Sequence, residues 1–274
     1  MMSFINNFIG FYHNAKKVNF IFLGFGLLYS LNIISQNYTN QEFIKIKNAP
    51  ETAITLIKQD QIGHLWMATS KGIIQFDGTD FSLFNSENSL LTDQIHTFSI
   101  KKDSLFIGAK THLSIKVRTN FHHFESKKIN KIFFHNGITY TATDEGICFF
   151  NKNYLQPIQL NTQLDFAKIN DIIFHQNSFY IASNNGFWKV DQLINPNKIT
   201  RLNKEKYTIL LLNETELIAV QNTNTITVFD RNKVTQNIKT ISNITSVTKI
   251  ENEIWITSTN ESIEILDTKT YRFK

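Results

Sequence analysis

The sequence predicts an all-β protein, a β-propeller of four-stranded antiparallel blades with six repeats visible and a seventh blade missing from the ring. Three observations carry this. Residues 54–84 read as four short strands joined by tight turns; the second of those strands recurs six times at near-constant spacing; and the third recurs with it, ending each time in a fixed pattern.

The opening unit is ITLIKQD, a turn at Asp60–Gly63, HLWMATS, a turn through Lys71–Gly72, IIQFD, the Asp77-Gly78 turn, and FSLF. Asp-Gly favours a hairpin because positive φ carries no Cβ penalty at glycine. The runs between turns are rich in β-branched and aromatic residues, as strands are. A single sheet of four strands cannot bury both faces, so the unit needs neighbours of its own kind.

Those neighbours follow. LWMATS (65–70) is echoed by LFIGAK (105–110), TYTATD (139–144), FYIASN (179–184), LIAVQN (217–222) and IWITST (254–259). The anchors Trp66, Phe106, Tyr140, Tyr180, Ile218 and Trp255 lie 40, 34, 40, 38 and 37 residues apart. A period of this size marks a repeat architecture. Two residues beyond each anchor, on the same strand face, stand Ala68, Gly108, Ala142, Ala182, Val220 and Thr257. The mostly small residue there predicts that a neighbouring sheet stacks over that spot. The first strands INKIFFHN (129–136), INDIIFHQ (169–176) and KYTILLLNE (206–214) are apolar enough to be buried on both faces, while HTFSIKKD and SVTKIEN are more polar.

Third strands end in Phe76-Asp77, Val117-Arg118, Phe150-Asn151, Val190-Asp191, Phe229-Asp230 and Leu266-Asp267. Asp and Asn at these points are turn residues bonding to following backbone amides, since carboxylates on adjacent blades stand too far apart to share a metal. Radial repetition with short loops is the propeller's way of protecting sheet edges; a linear β-solenoid, with shorter repeats, is the alternative. The repeats run about 54–84, 95–126, 129–158, 169–202, 207–238 and 245–274, in a propeller region of residues 36–274. QEFIKIK (41–47) resembles an outer strand without three inner ones, and YRFK (271–274) already serves the last unit. The surplus strand points to seven blades with one lacking; six close only if one of these strands stays unpaired.

Residues 1–35 form a signal peptide or signal anchor. Lys16 and Lys17 precede an apolar run from Phe20 to Tyr29 and a tail ending in Ser35, the layout of a secretory signal. Asn32 interrupts a run that falls short of the roughly 20 apolar residues of a membrane span. Localisation is therefore periplasmic or secreted, or anchored at the inner membrane by residues 16–35. Beyond residue 35 the chain carries 26 basic against 23 acidic residues, a scattered excess that argues against nucleic acid, which wants a concentrated basic surface.

No catalytic, cofactor-binding or metal-ligating residue is assigned, and no cofactor is expected. Cys148 is the sole cysteine and sits in the strand GICFF as a core filler. The histidines His64, His96, His112, His122, His123, His135 and His175 make no HExxH or similar pair. His135 and His175 occupy matching turns of adjacent units, and the sequential His122 and His123 point to opposite sides of a strand. Neither a nucleophile motif nor a phosphate loop is present. Trp66 and Trp255 are core anchors, which leaves Trp188, next to Phe187, as the tryptophan with the better claim to exposure.

LIKQDQIGHLWMATSKGIIQFDG resembles the two-component regulator propeller repeat through Ile57, Asp60, Gly63, Leu65-Trp66, Ala68-Thr69, Gly72-Ile73 and Phe76-Asp77. The match is fair at 139–151 and 179–191 and poor at 105–118 and 217–230. ENSLLTDQI (87–95) is similar to that family's linker between blades, and the leader with QNYTNQEF to exported proteins of Bacteroidetes. The resemblance implies the periplasmic sensor region of a histidine kinase or hybrid regulator, its N-terminal part only, with an oligosaccharide as ligand. The family's kinase and output domains have no counterpart in this sequence, so the chain is expected not to be an enzyme. The expected function is an exported sensor or ligand-recognition module of a two-component-type protein. A secreted protein-binding scaffold and a propeller polysaccharide lyase or hydrolase are the alternatives. Expected partners are an oligosaccharide or protein on a propeller face, and a second copy through incomplete closure.

Overall fold

The computed structural model describes residues 49–221, 223–260 and 262–274. The leader at 1–35 and the surplus strand at 41–47 lie outside the described residues. Blade 1 comprises β1 (Ile54–Gln59), β2 (Leu65–Thr69), β3 (Gly72–Phe76) and β4 (Phe81–Phe84); blade 2 comprises β5 (Thr97–Lys101), β6 (Ser104–Gly108), β7 (His112–Val117) and β8 (Asn120–Glu125). Blade 3 follows with β9 (Ile129–His135), β10 (Ile138–Thr143), β11 (Gly146–Asn151) and β12 (Tyr154–Pro157), and blade 4 with β13 (Ile169–His175), β14 (Ser178–Ser183), β15 (Gly186–Val190) and β16 (Ile199–Asn203). Blade 5 has β17 (Tyr207–Asn213), β18 (Glu216–Gln221), β19 (Thr225–Asp230) and β20 (Lys233–Lys239). Blade 6 has β21 (Ile244–Ile250), β22 (Glu253–Ser258) and β23 (Ile263–Asp267), with a short fourth segment held on β23 by the Leu266–Phe273 bridge. Each blade is an antiparallel meander in chain order, and the blades form a propeller ring. Among the described residues no helix is long and apolar enough to cross a membrane.

The apolar interior consists of five clusters, one at each junction between consecutive blades. Trp66, Ala68 and Ile73 of blade 1 meet Phe98, Leu105 and Ile107 of blade 2. Phe106, Leu113 and Ile115 meet Ile129 and Ile132, and Tyr140 and Ala142 meet Ile172, Phe179 and Val190. Tyr180 and Phe187 meet Leu210 and Phe229, and Ile218 and Val220 meet Ile254 and Leu266. The anchors of blades 1 to 5 thus each face the blade that follows. Gly108 explains the small residue two places on: a Cβ there would stand 2.7 Å from Ile129 of blade 3, closer than carbon atoms pack. At Gly72, whose φ of +115° lies in the region that favours glycine, a Cβ would meet the Phe84 carbonyl at 2.3 Å.

Polar bonds run beside these clusters from blade to blade. The Lys58 amine donates to the Phe98 carbonyl at 2.7 Å and to Ser99 Oγ at 3.2 Å, and Ser99 Oγ donates to the Ile132 carbonyl. Lys131 pairs with buried Asp171 at 2.8 Å, whose second oxygen accepts the Leu210 N–H. Asn130 and Asn170 donate to the Ile169 and Tyr207 carbonyls of the next blade. Burial, then the charge of Lys131, pulls the Lys58 amine down to about 8.

The first strands of blades 3 to 5 are not buried on both faces: Ile129 and Ile132, Ile172, and Tyr207 and Leu210 are buried, but Phe133 and Leu211 are half-buried and Phe174 is exposed. They are the inner strands of their blades, with another strand on one side only. Conversely Thr97, Phe98 and Ser99 of the more polar β5 are buried, because Ser99 is hydrogen-bonded on both sides. Trp255 is not in a core. It is 37% exposed where the other five anchors are at most 8%. On blade 1, Ile57 is 54% exposed, whereas its counterparts in register, Phe98, Ile132, Ile172 and Leu210, are buried.

The clusters predict that Ile218→Ala costs about 2–5 kcal/mol, the usual range for emptying a packed site. Trp255→Ala, though it removes a larger side chain, is expected to cost under about 1 kcal/mol. Chemical denaturation of both variants checks this; an equal or larger loss for Trp255→Ala contradicts the packing described.

Candidate functional site

At the end of the ring formed by the β1–β2, β5–β6 and β7–β8 turns, a cleft of about 310 Å³ opens between blades 1 and 2. Asp60, His64 and Trp66 line it from blade 1, Lys102, Lys116 and Arg118 from blade 2. Asp60 organises the blade 1 side. One carboxylate oxygen accepts the N–H groups of Ile62 and His64 at 3.1 and 2.9 Å, and the other accepts the Trp66 indole N–H at 2.9 Å. His64 Nδ1 bonds to the Gln75 amide at 2.7 Å. Burial works against the Asp60 carboxylate, but these donors outweigh it and hold its pKa below the usual value.

The blade 2 side breaks the repeat. The pairing Leu105↔Lys116 matches Leu65↔Phe76, Phe179↔Val190, Leu217↔Phe229 and Ile254↔Leu266. In blade 3 the neighbouring pair Tyr140↔Phe149 puts Phe150 at this place. Lys116 therefore stands where the other five blades have an apolar residue, which in blades 3 to 6 packs against the preceding blade. This corrects the expectation that Val117 is the counterpart of Phe76: Val117 falls at the Asp77 position and is exposed. The Lys116 ammonium lies 5.6 Å from the Trp66 ring and 5.4 Å from the Phe84 ring, and donates to the Arg118 carbonyl. Burial lowers its pKa.

The same trio of turns builds a cleft of about 370 Å³ between blades 4 and 5, lined by Gln176, Glu214, Glu216, Asp230 and Arg231. Its charge is mainly acidic. Tyr271 donates to Glu216 and accepts from Asn213 Nδ2, and burial followed by that carboxylate pushes the phenol up.

Trp66 is buried, as its anchor position predicts. Trp188, given the better claim to exposure than Trp66 or Trp255, is 8% exposed and Trp255 is the more open; the Trp188 indole donates to Asn185 Oδ1 and the Arg201 guanidinium lies over its ring. Asp77, Asp191 and Asp267 each accept backbone N–H groups of their own turns, as turn residues should. Cys148 is buried, and burial raises its thiol to about 11. His135 packs on Phe174 and Phe179. His123 bonds to Ser114 and its ring stands 6.1 Å from buried His112, a pairing the sequence did not suggest. Among the described residues no group of three or more His, Cys, Asp or Glu is placed to hold a metal ion.

No family model matches the chain, and no curated protein does. Solved structures do. Saccharomyces cerevisiae Sqt1 is 10% identical with a TM-score of 0.62 over 80% of this chain and 71% of that one. The WD40 β-propeller domain of Doa1 is 12% identical with a TM-score of 0.58 over 81% and 83%. The likeness is one of fold. The extracellular domain of a putative hybrid two-component system from B. thetaiotaomicron is 18% identical with a TM-score of 0.48, over 81% of this chain and 39% of that one.

The lowered pKa of Asp60 makes a pH test. Its stabilisation is fully present above the unfolded carboxylate value of about 3.9 and is lost as pH falls through the lower folded value. Asp60→Asn is expected to destabilise by about 1 kcal/mol at neutral pH, and the gap in Tm should close below about pH 4. A gap that persists unchanged at low pH contradicts the assigned role.

Proposed function

We propose that this chain is the ligand-recognition part of an exported signalling protein of two-component type, a binding module with no catalysis of its own, whose ligand is an oligosaccharide. The cleft between blades 1 and 2 carries the reading. It is built around Asp60 and Trp66, two residues of the repeat that resembles the two-component regulator propeller. It offers hydrogen-bond donors and apolar surface together, as small-molecule sites do. Its most buried carboxylate, Asp60, is engaged by three N–H donors, and Glu216 in the second cleft is engaged by Tyr271. Both carboxylates hold the fold in place, which favours binding over acid–base chemistry. The leader at 16–35 supports export.

The ring itself is proposed to have seven positions with one blade absent between blade 6 and blade 1. Trp255 and Ile263 on blade 6 and Ile57 on blade 1 are exposed at positions that other blades bury against a neighbour. Packed sheets lie about 10 Å apart, so an empty blade position separates these two faces by about 20 Å.

The experiment for the functional reading is a glycan array followed by calorimetry on the full chain. Saturable binding of at least one oligosaccharide is expected. A stably folded chain that binds no glycan on the array overturns the oligosaccharide reading.

A further inference from the structure

We infer that the cleft between blades 1 and 2 binds a small ligand through an anionic group, a carboxylate or a sulfate, received by Lys116 with Lys102 and Arg118. The inference rests on the recognition reading above and narrows the chemistry of its ligand.

The repeat supplies an internal reference. Where blade 2 has Lys116, the other blades have Phe76, Phe150, Val190, Phe229 and Leu266. The apolar choice is the one the junction needs, since Val190, Phe229 and Leu266 are all buried in junction clusters. A lysine at that place loses hydration without gaining an ion pair from the described residues: among them no carboxylate lies within ion-pair distance of Lys116, Lys102 or Arg118. Trp66 and Phe84 offset part of that cost by cation–π attraction. Residues that break a local rule against the packing are where function is expected.

Backbone geometry does not force the basic character. Lys102 and Arg118 sit at left-handed turn positions, φ 52° and 54°, and the counterparts Glu214 and Arg231 in blade 5 have φ 52° and 46°. The same turns thus build an acidic cleft between blades 4 and 5 and a basic one between blades 1 and 2. Asp60 does not cancel the cations, because its charge is directed into the N–H groups of Ile62, His64 and Trp66. Asp103, the other acid at the rim, is paired with none of the three cations.

The test follows the Trp66 indole N–H resonance of the full chain during titration with sodium sulfate, sodium glucuronate and glucose at constant ionic strength. Sulfate or glucuronate should saturate the shift while glucose leaves it unmoved; which of the two anions binds more tightly identifies the group. Lys116→Met should weaken anion binding by roughly tenfold or more, the loss of one charged contact, without lowering Tm. Arg231→Ala, in the acidic cleft, should change nothing. Glucose and glucuronate titrating alike, or Lys116→Met binding as the parent does, overturns the anion site and leaves the recognition reading standing. Silence of the indole to every probe also overturns it, and the glycan array then decides the broader reading by itself.

Discussion

Everything in this fold depends on one contact repeated from blade 1 to blade 5: the anchor of a blade pressed against the inner and third strands of the next. Tyr140 with Val190, Tyr180 with Phe229, and Ile218 with Leu266 share clusters in this way. A single blade has no core of its own. Its stability is borrowed from both neighbours, in the manner of repeat proteins, where interface energies between units add to weak intrinsic ones. The near-constant spacing of anchors, the small residue two places on and the short turns are all consequences of that contact, since a sheet that must be covered on both faces tolerates little variation in length or bulk.

Polar groups are fitted into the same arrangement. Lys58, Ser99, Lys131 and Asp171 hand hydrogen bonds from blade 1 through to blade 5. Each is satisfied by a group on the following blade, so these bonds fix how one sheet is placed on the next as well as holding it there. The interaction continues into the candidate site: Asp60 fixes the turn and the Trp66 indole, Trp66 closes the junction, and Lys116 rests on its ring. Structure and site share side chains, which is why the most regular blade also borders the least regular junction.

The fold was largely legible because its determinants are local. Asp-Gly turns, strand lengths and the recurrence of LWMATS are properties of short stretches, and they placed six blades. What escaped was pairing. Counting along the chain set Val117 opposite Phe76, whereas the register puts Lys116 there, and a one-residue change of register exchanges the faces of a strand. The cleft's charge therefore could not be read. Exposure was misjudged for a related reason. Nothing in NNGFWKVD shows that Asn185 and Arg201 cover Trp188; Trp255 has the position of an anchor, yet it is 37% exposed.

If blades are held by the blade on either side, a face without a neighbour stays open. Spin labels at Ile57→Cys and Trp255→Cys, in a Cys148→Ser background, measure this by double electron–electron resonance for long separations and by dipolar broadening of the continuous-wave spectrum for short ones. Two faces separated by an empty blade position give a distance of about 20 Å or more. A distance near 10 Å, the spacing of sheets in direct contact, would mean that blades 6 and 1 pack on each other and that the ring is closed with six.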